Sequence, residues 1–116
     1  MEMSIETKLR AALTPIEEIV KPNLYDGPAT EYIVFNYDEF GTMWSDDRPR
    51  AIVYRVMVHL YLPHGGTPLT KKRRICEALY AAGATWPEVT NASDKDGQHY
   101  VFEFEMQEGN EPDGEP

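Results

Sequence analysis

Residues 51–62, AIVYRVMVHLYL, constrain the fold more than any other stretch of the chain. Ile52, Tyr54, Val56, Val58, Leu60 and Leu62 recur at period two, while Arg55 and His59 stand on the other side. The pattern predicts a long strand with one fully apolar face. Such a face has to be covered by a second layer, so the chain needs a sheet and something packed on it.

The flanking segments supply both. TEYIVFNY, residues 30–37, is β-branched and aromatic without a helical period and predicts a second strand. QHYVFEFEM, residues 98–106, alternates again, with Tyr100, Phe102, Phe104 and Met106 on one side and His99, Val101, Glu103 and Glu105 on the other. A short strand is predicted around Trp86 to Thr90. Ser4 caps a helix over 5–13, in which Ile5, Leu9, Ala12 and Leu13 share a face, with a further turn through Ile16, Ile19 and Val20 beyond Pro15. A second helix is predicted over 68–82, with Thr67 as cap, Pro68 in the first position and Gly83 after the last turn. Its expected buried stripe is Leu69, Cys76, Leu79 and Tyr80. KPNLYDGPAT, residues 21–30, reads as a connection, and DEFGTMWSDDRPR, residues 38–50, as a polar loop that carries Phe40, Met43 and Trp44. The order α-β-β-α-β-β predicts an α+β fold, an antiparallel sheet covered on one face by two helices. One two-layer domain spans 1–106, and an acidic tail, 107–116, is expected to be disordered.

At 116 residues the chain has room for a single core, and a hydrophobic share of 41% is enough to fill it. One cysteine, Cys76, excludes an internal disulfide. The sequence holds no apolar run of membrane-spanning length, and its start has no signal core, so a soluble protein without a membrane partner is expected. Twenty acidic against eleven basic side chains argue against duplex nucleic acid as the main partner.

Four features of the sequence are candidates for chemistry. ASDKDGQHYVFE, residues 92–103, places Asp94, Asp96, Gly97 and Glu103 on the calcium-loop pattern, but Ala92 stands where that pattern needs an acid and a strand follows where it needs a helix. Asp96-Gly97 is read instead as a hairpin turn, with Gly97 accepting positive φ and Asp96 bonding its own turn. His59, His64 and His99 share no short metal spacing, so no metal ligand is assigned, and Cys76 reads as a core residue. No phosphate loop, nucleophile elbow or carboxylate pair occurs, so no catalytic residue and no cofactor site are assigned and an enzyme is not expected.

Two interaction candidates remain. Lys71, Lys72, Arg73 and Arg74 fill four successive helical positions and spread around the helix, where they form a solvated surface, meet an acidic neighbour or touch nucleic acid. Phe40, Met43 and Trp44 either fold back on the core or form a contact.

The short capped helix, EYIVFNY, AIVYRVMVHLYL, the helix TPLTKKRRICEALYAAG and the turn DKDGQHYVFEFEM together resemble the tail-terminator or tail-completion proteins of long-tailed bacteriophages and prophages. The resemblance covers residues 4–106. It implies a hexameric ring that caps the tail tube, ends its polymerisation and joins the tail to the head. Its partners are further copies of itself, the tail-tube protein and a head-connector or neck protein, with DNA passing through unbound. The implied place is the head–tail junction of the virion, and the host cytoplasm during assembly. No catalytic residue, cofactor or metal carries over. Within a ring, Lys71, Lys72, Arg73 and Arg74 are expected to meet acidic residues of the next subunit, first Asp46 and Asp47, and the segment with Phe40, Met43 and Trp44 to dock on the tube or a neighbour. A head–tail connector and, from a different class, a small cytoplasmic ligand-binding or regulatory domain are the alternatives.

Overall fold

The computed structural model describes residues 4–45 and 48–108, with the backbone alone described at 40–45, 48–51 and 108. Helix α1 (Ile5–Leu13) starts at Ser4, whose Oγ accepts the Thr7 N–H at 3.1 Å, and buries Ile5, Leu9 and Leu13. It stops where Pro15 would follow. The expected further turn is not helical as far as Val20: a turn ends at Ile16, and Val20 opens strand β1 (Val20–Pro22). Three residues are too few to show a period, so pairing with a neighbour, not local sequence, makes this a strand.

The sheet has five strands in the order β1-β2-β3-β5-β4, with β2 (Tyr32–Ser45), β3 (Arg48–Leu62), β4 (Glu88–Asn91) and β5 (Gln98–Glu108). Strand β1 runs parallel to β2, and the other pairs are antiparallel. The α+β class therefore holds, but the sheet is mixed where the sequence predicted a purely antiparallel one.

Of the segment read as a loop over 38–50, residues 38–45 and 48–50 belong to the two long strands. Asp38 pairs with Arg55, Phe40 with Val53, Gly41 with Ile52 and Trp44 with Pro49, out to Ser45 and Arg48. Gly41 and Pro49 lower strand propensity locally, but a ladder already in register from Tyr32 carries through them. Met43 lies in β2, the side chains of Phe40, Met43 and Trp44 fall outside the described set, and Asp46 and Asp47 lie outside the described residues. At the far end, Gln107 and Glu108 extend β5, so the strand reaches two residues into the segment expected to be a tail; residues 109–116 are not described.

Alternation along the strands sorts the sheet into two faces. Ile33 and Phe35 of β2, Tyr54, Val56, Val58, Leu60 and Leu62 of β3, and Tyr100, Phe102, Phe104 and Met106 of β5 meet α1 and helix α2 (Leu69–Ala81) in one core. Helix α2 is one residue shorter at each end than predicted. Pro68 takes the N-cap position with no side-chain bond, so Thr67 does not cap. At the other end the predicted glycine stop is present: Gly83 has φ +105, its N–H bonds the Tyr80 carbonyl and the Ala84 N–H bonds the Leu79 carbonyl.

The buried residues of α2 are Ile75, Cys76 and Leu79; Leu69 and Tyr80 are 57% and 59% exposed, against expectation. At about 100° per residue those two sit on one flank of the stripe, not at its centre. The β4–β5 hairpin also differs in detail. Its central residues are Lys95 and Asp96, closed by the Asp94–Gly97 bridge, and it is Asp94 whose carboxylate accepts the Asp96 N–H at 2.9 Å. Gly97 has no positive φ. A side chain there would place its Cβ 3.0 Å from the Leu62 carbonyl oxygen, so close approach accounts for the glycine.

Candidate functional site

The four basic residues of α2 divide according to the helix period. Lys71 faces the segments before β1 and β2, where its ammonium donates to Glu17 at 3.0 Å and to Glu31 at shorter range. Burial works against the charged ammonium, but the two carboxylates outweigh it and hold its pKa above the usual lysine range. Burial raises Glu17 in spite of Lys71, whereas the hydrogen bond from Lys71 lowers the better solvated Glu31. Lys72 lies 4.4 Å from the Tyr100 ring centroid, a cation–π contact. Arg74 donates to the Pro15 carbonyl at 3.3 Å, and Arg73 is exposed on the opposite flank. The run spreads around the helix: Lys71 ties α2 to Glu17 and Glu31 of its own chain, and Arg73 faces outward.

Arg73 borders a groove between α2 and β4, about 390 Å³ in volume, lined also by Leu69, Lys72, Cys76, Glu77, Trp86 and Val89. Trp86 is 54% exposed and meets the exposed Tyr80 ring edge to face at 5.6 Å. Cys76 lies at the groove's inner wall, and burial raises its thiol pKa, which suits packing and not nucleophilic chemistry. The groove therefore combines apolar walls with two cations, Lys72 and Arg73, and one carboxylate, Glu77.

The sheet face turned away from the helices carries a row of rings. Tyr25 meets Tyr32 at 4.5 Å, Tyr32 stacks on Tyr61 at 4.7 Å, Tyr61 stacks on His99 at 4.3 Å, and His99 meets His59 at 5.1 Å. The register Tyr32–Tyr61–His99 across β2, β3 and β5 builds this row. His59 Nδ1 and His99 Nε2 share a hydrogen bond of 2.9 Å, so at least one ring nitrogen of the pair accepts. Their sequence spacing does not place them together; the β3–β5 pairing does. His64 bonds through Nε2 to the Lys95 carbonyl at 3.1 Å and lines a cleft of about 420 Å³ together with Tyr32, Tyr61 and His99 of the row and with Asp94, Asp96 and Gln98. Among the described residues, no three His, Cys, Asp or Glu side chains converge as a metal-binding group, and no helix is long and apolar enough to cross a membrane.

Burial, then the neighbouring His99, lowers the His59 pKa; burial lowers that of His99 against the opposing pull of Asp94. The unfolded chain therefore binds protons first as pH falls from 7 past the ordinary histidine value of 6.5. Stability is expected to decline across that window, each imidazole contributing a slope of at most about 1.4 kcal/mol per pH unit. Urea unfolding at pH 7.5 and 5.5 measures it. His99→Gln should flatten the profile, and an equally steep profile in the variant would remove the pair as its cause.

The ring row was hidden from sequence reasoning because its members lie on four separate segments. The available signal was the polar-face parity of Tyr32, His59, Tyr61 and His99 in three alternating strands, which becomes informative only with the register. Of the short strand predicted around Trp86 to Thr90, Val89 lies in β4 but Trp86 precedes it, and the groove that both line was not legible. No protein-family model matches this sequence, and comparison with curated proteins gives no match either.

Proposed function

We propose that this chain is a phage or prophage structural protein that caps the tail tube, ends its polymerisation and joins the tail to the head as a hexameric ring. The observation that carries this reading is the β2–β3 ribbon. The pairs Thr42–Ala51, Trp44–Pro49 and Ser45–Arg48 lie beyond Ile52–Glu108, the outermost pair between β3 and β5, and no third strand flanks them among the described residues. The described chain is accordingly elongated, 52 × 25 × 23 Å. A two-stranded ribbon is marginal in water on its own, and a neighbouring molecule supplies the missing cover. The net charge of −9 also suits a ring through which DNA slides, since a basic lumen would hold phosphates.

Light scattering after size exclusion, on the protein alone and with the tail-tube protein encoded beside it, tests the reading. A ring, or a monomer that converts to a ring on the tube end, is expected. Retention of a portal-side protein in place of the tube protein would move the assignment to a neck connector. A monomer indifferent to both would overturn the reading.

A further inference from the structure

The two edges of the sheet are open in unlike ways. Strand β1 covers β2 only at Ile33, Val34 and Phe35, so among the described residues no strand pairs with the outer edge of β2 from Asn36 to Ser45. At the opposite edge, β4 pairs with β5 on one side only, and all four of its residues are exposed. A long unpaired edge is a template for a further strand, and natural sheets usually blunt or cover it.

We propose that β4, together with the α2–β4 groove, receives the open edge of β2 from a second copy of this chain, so that the sheet continues head to tail from subunit to subunit. The inference deepens the ring assembly proposed above and rests on it for closure. Three observations select a second copy as the occupant.

The first is strand direction. Strands β2 and β5 run one way and β3 and β4 the other, because each step from β2 through β3 and β5 to β4 is antiparallel. When two copies stand in the same orientation, as subunits of a ring do, the β4 of one and the β2 of the next are antiparallel, the better ladder geometry. The second is parity. Tyr37 and Glu39 share the parity of buried Ile33 and Phe35, and Val89 is in register with buried Phe102. Both sets therefore belong to the helix side of the sheet, so an added β2 turns Tyr37 and Glu39 toward the partner's α2–β4 groove. The third is charge. Glu39 is exposed on β2, and the receiving groove is rimmed by Lys72 and Arg73, which outnumber its one carboxylate, Glu77, beside the apolar Leu69, Trp86 and Val89. Backbone bonds along the edge supply affinity, and the groove supplies selectivity.

The test uses the full chain and a charge swap. Glu39→Arg and Arg73→Glu are each expected to weaken self-association about tenfold or more, by turning an attraction into a repulsion, and the double variant to restore it. Both positions are exposed, and circular dichroism checks that each variant is folded. Amide hydrogen exchange is the second readout: residues 36–39 and 88–91 should gain protection together on assembly. Oligomers that form with no added protection at these edges, or a double variant that does not recover, overturn the edge contact while leaving the ring reading in place. A chain that stays monomeric alone and with the tail-tube protein overturns both.

Discussion

Phe102→Ala should lower the unfolding free energy by about 3–5 kcal/mol, the cost of removing a buried aromatic ring and leaving a cavity. Phe102 has no solvent exposure and pairs with Val58 on one side and Val89 on the other, so both neighbouring strands lose contacts at once. For a domain of this size the change corresponds to a fall in melting temperature of more than about 10 °C. Val101, one residue earlier, faces the other side and is only partly buried. Val101→Ala should cost less than about 1.5 kcal/mol, since part of that side chain is in water in both states. The pair of variants tests the assignment of the two faces: equal losses would mean that the alternation does not separate core from open face.

Lys71→Met is the second large effect. The lysine spans two carboxylates on separate segments, Glu17 before β1 and Glu31 before β2, and so fastens α2 to both. Removing the cation leaves Glu17, with 9% side-chain exposure, facing another carboxylate. Breaking a fully buried pair costs about 3–5 kcal/mol. The 40% exposure of Glu31 lets water screen part of that, so a loss of about 2 kcal/mol is expected. Its pH dependence distinguishes electrostatics from lost packing. In the parent chain Glu31 has a lowered pKa, so its stabilising contribution is present above the unfolded carboxylate value and is lost as pH falls through the folded one. Without Lys71 both carboxylates favour their protonated forms, and the variant recovers relative to the parent in acid. A deficit that stays constant from pH 7 to pH 3 would show that the lysine acts through its aliphatic stem instead.

The contrast between Lys71 and Arg73 shows how far one segment can be read from its own letters. KKRR is legible as charge, and helical geometry already requires the four residues to spread around the axis. Which of them meets Glu17 and Glu31, which covers Tyr100 and which faces solvent depends on where α2 lies over the sheet. Leu69 and Tyr80 follow the same logic. They look like members of the apolar stripe, but the helix is rotated so that Ile75, Cys76 and Leu79 are buried, and the two large residues are left beside Trp86 on the groove side.

The sequence by itself determined the long central strand, the core face of β5, the capped first helix and the glycine stop of the second, because period, capping and left-handed backbone are properties of neighbouring residues. It also determined the α+β class, since apolar strand faces and amphipathic helices in that order leave few ways to form one core. Only the tertiary structure decided that Val20–Pro22 is a strand, that β2 and β3 continue through Gly41 and Pro49, and that Tyr32, Tyr61, His99 and His59 form one row. Those features depend on pairing between distant segments, and the free energy of pairing is set by register and partner, which no local window contains.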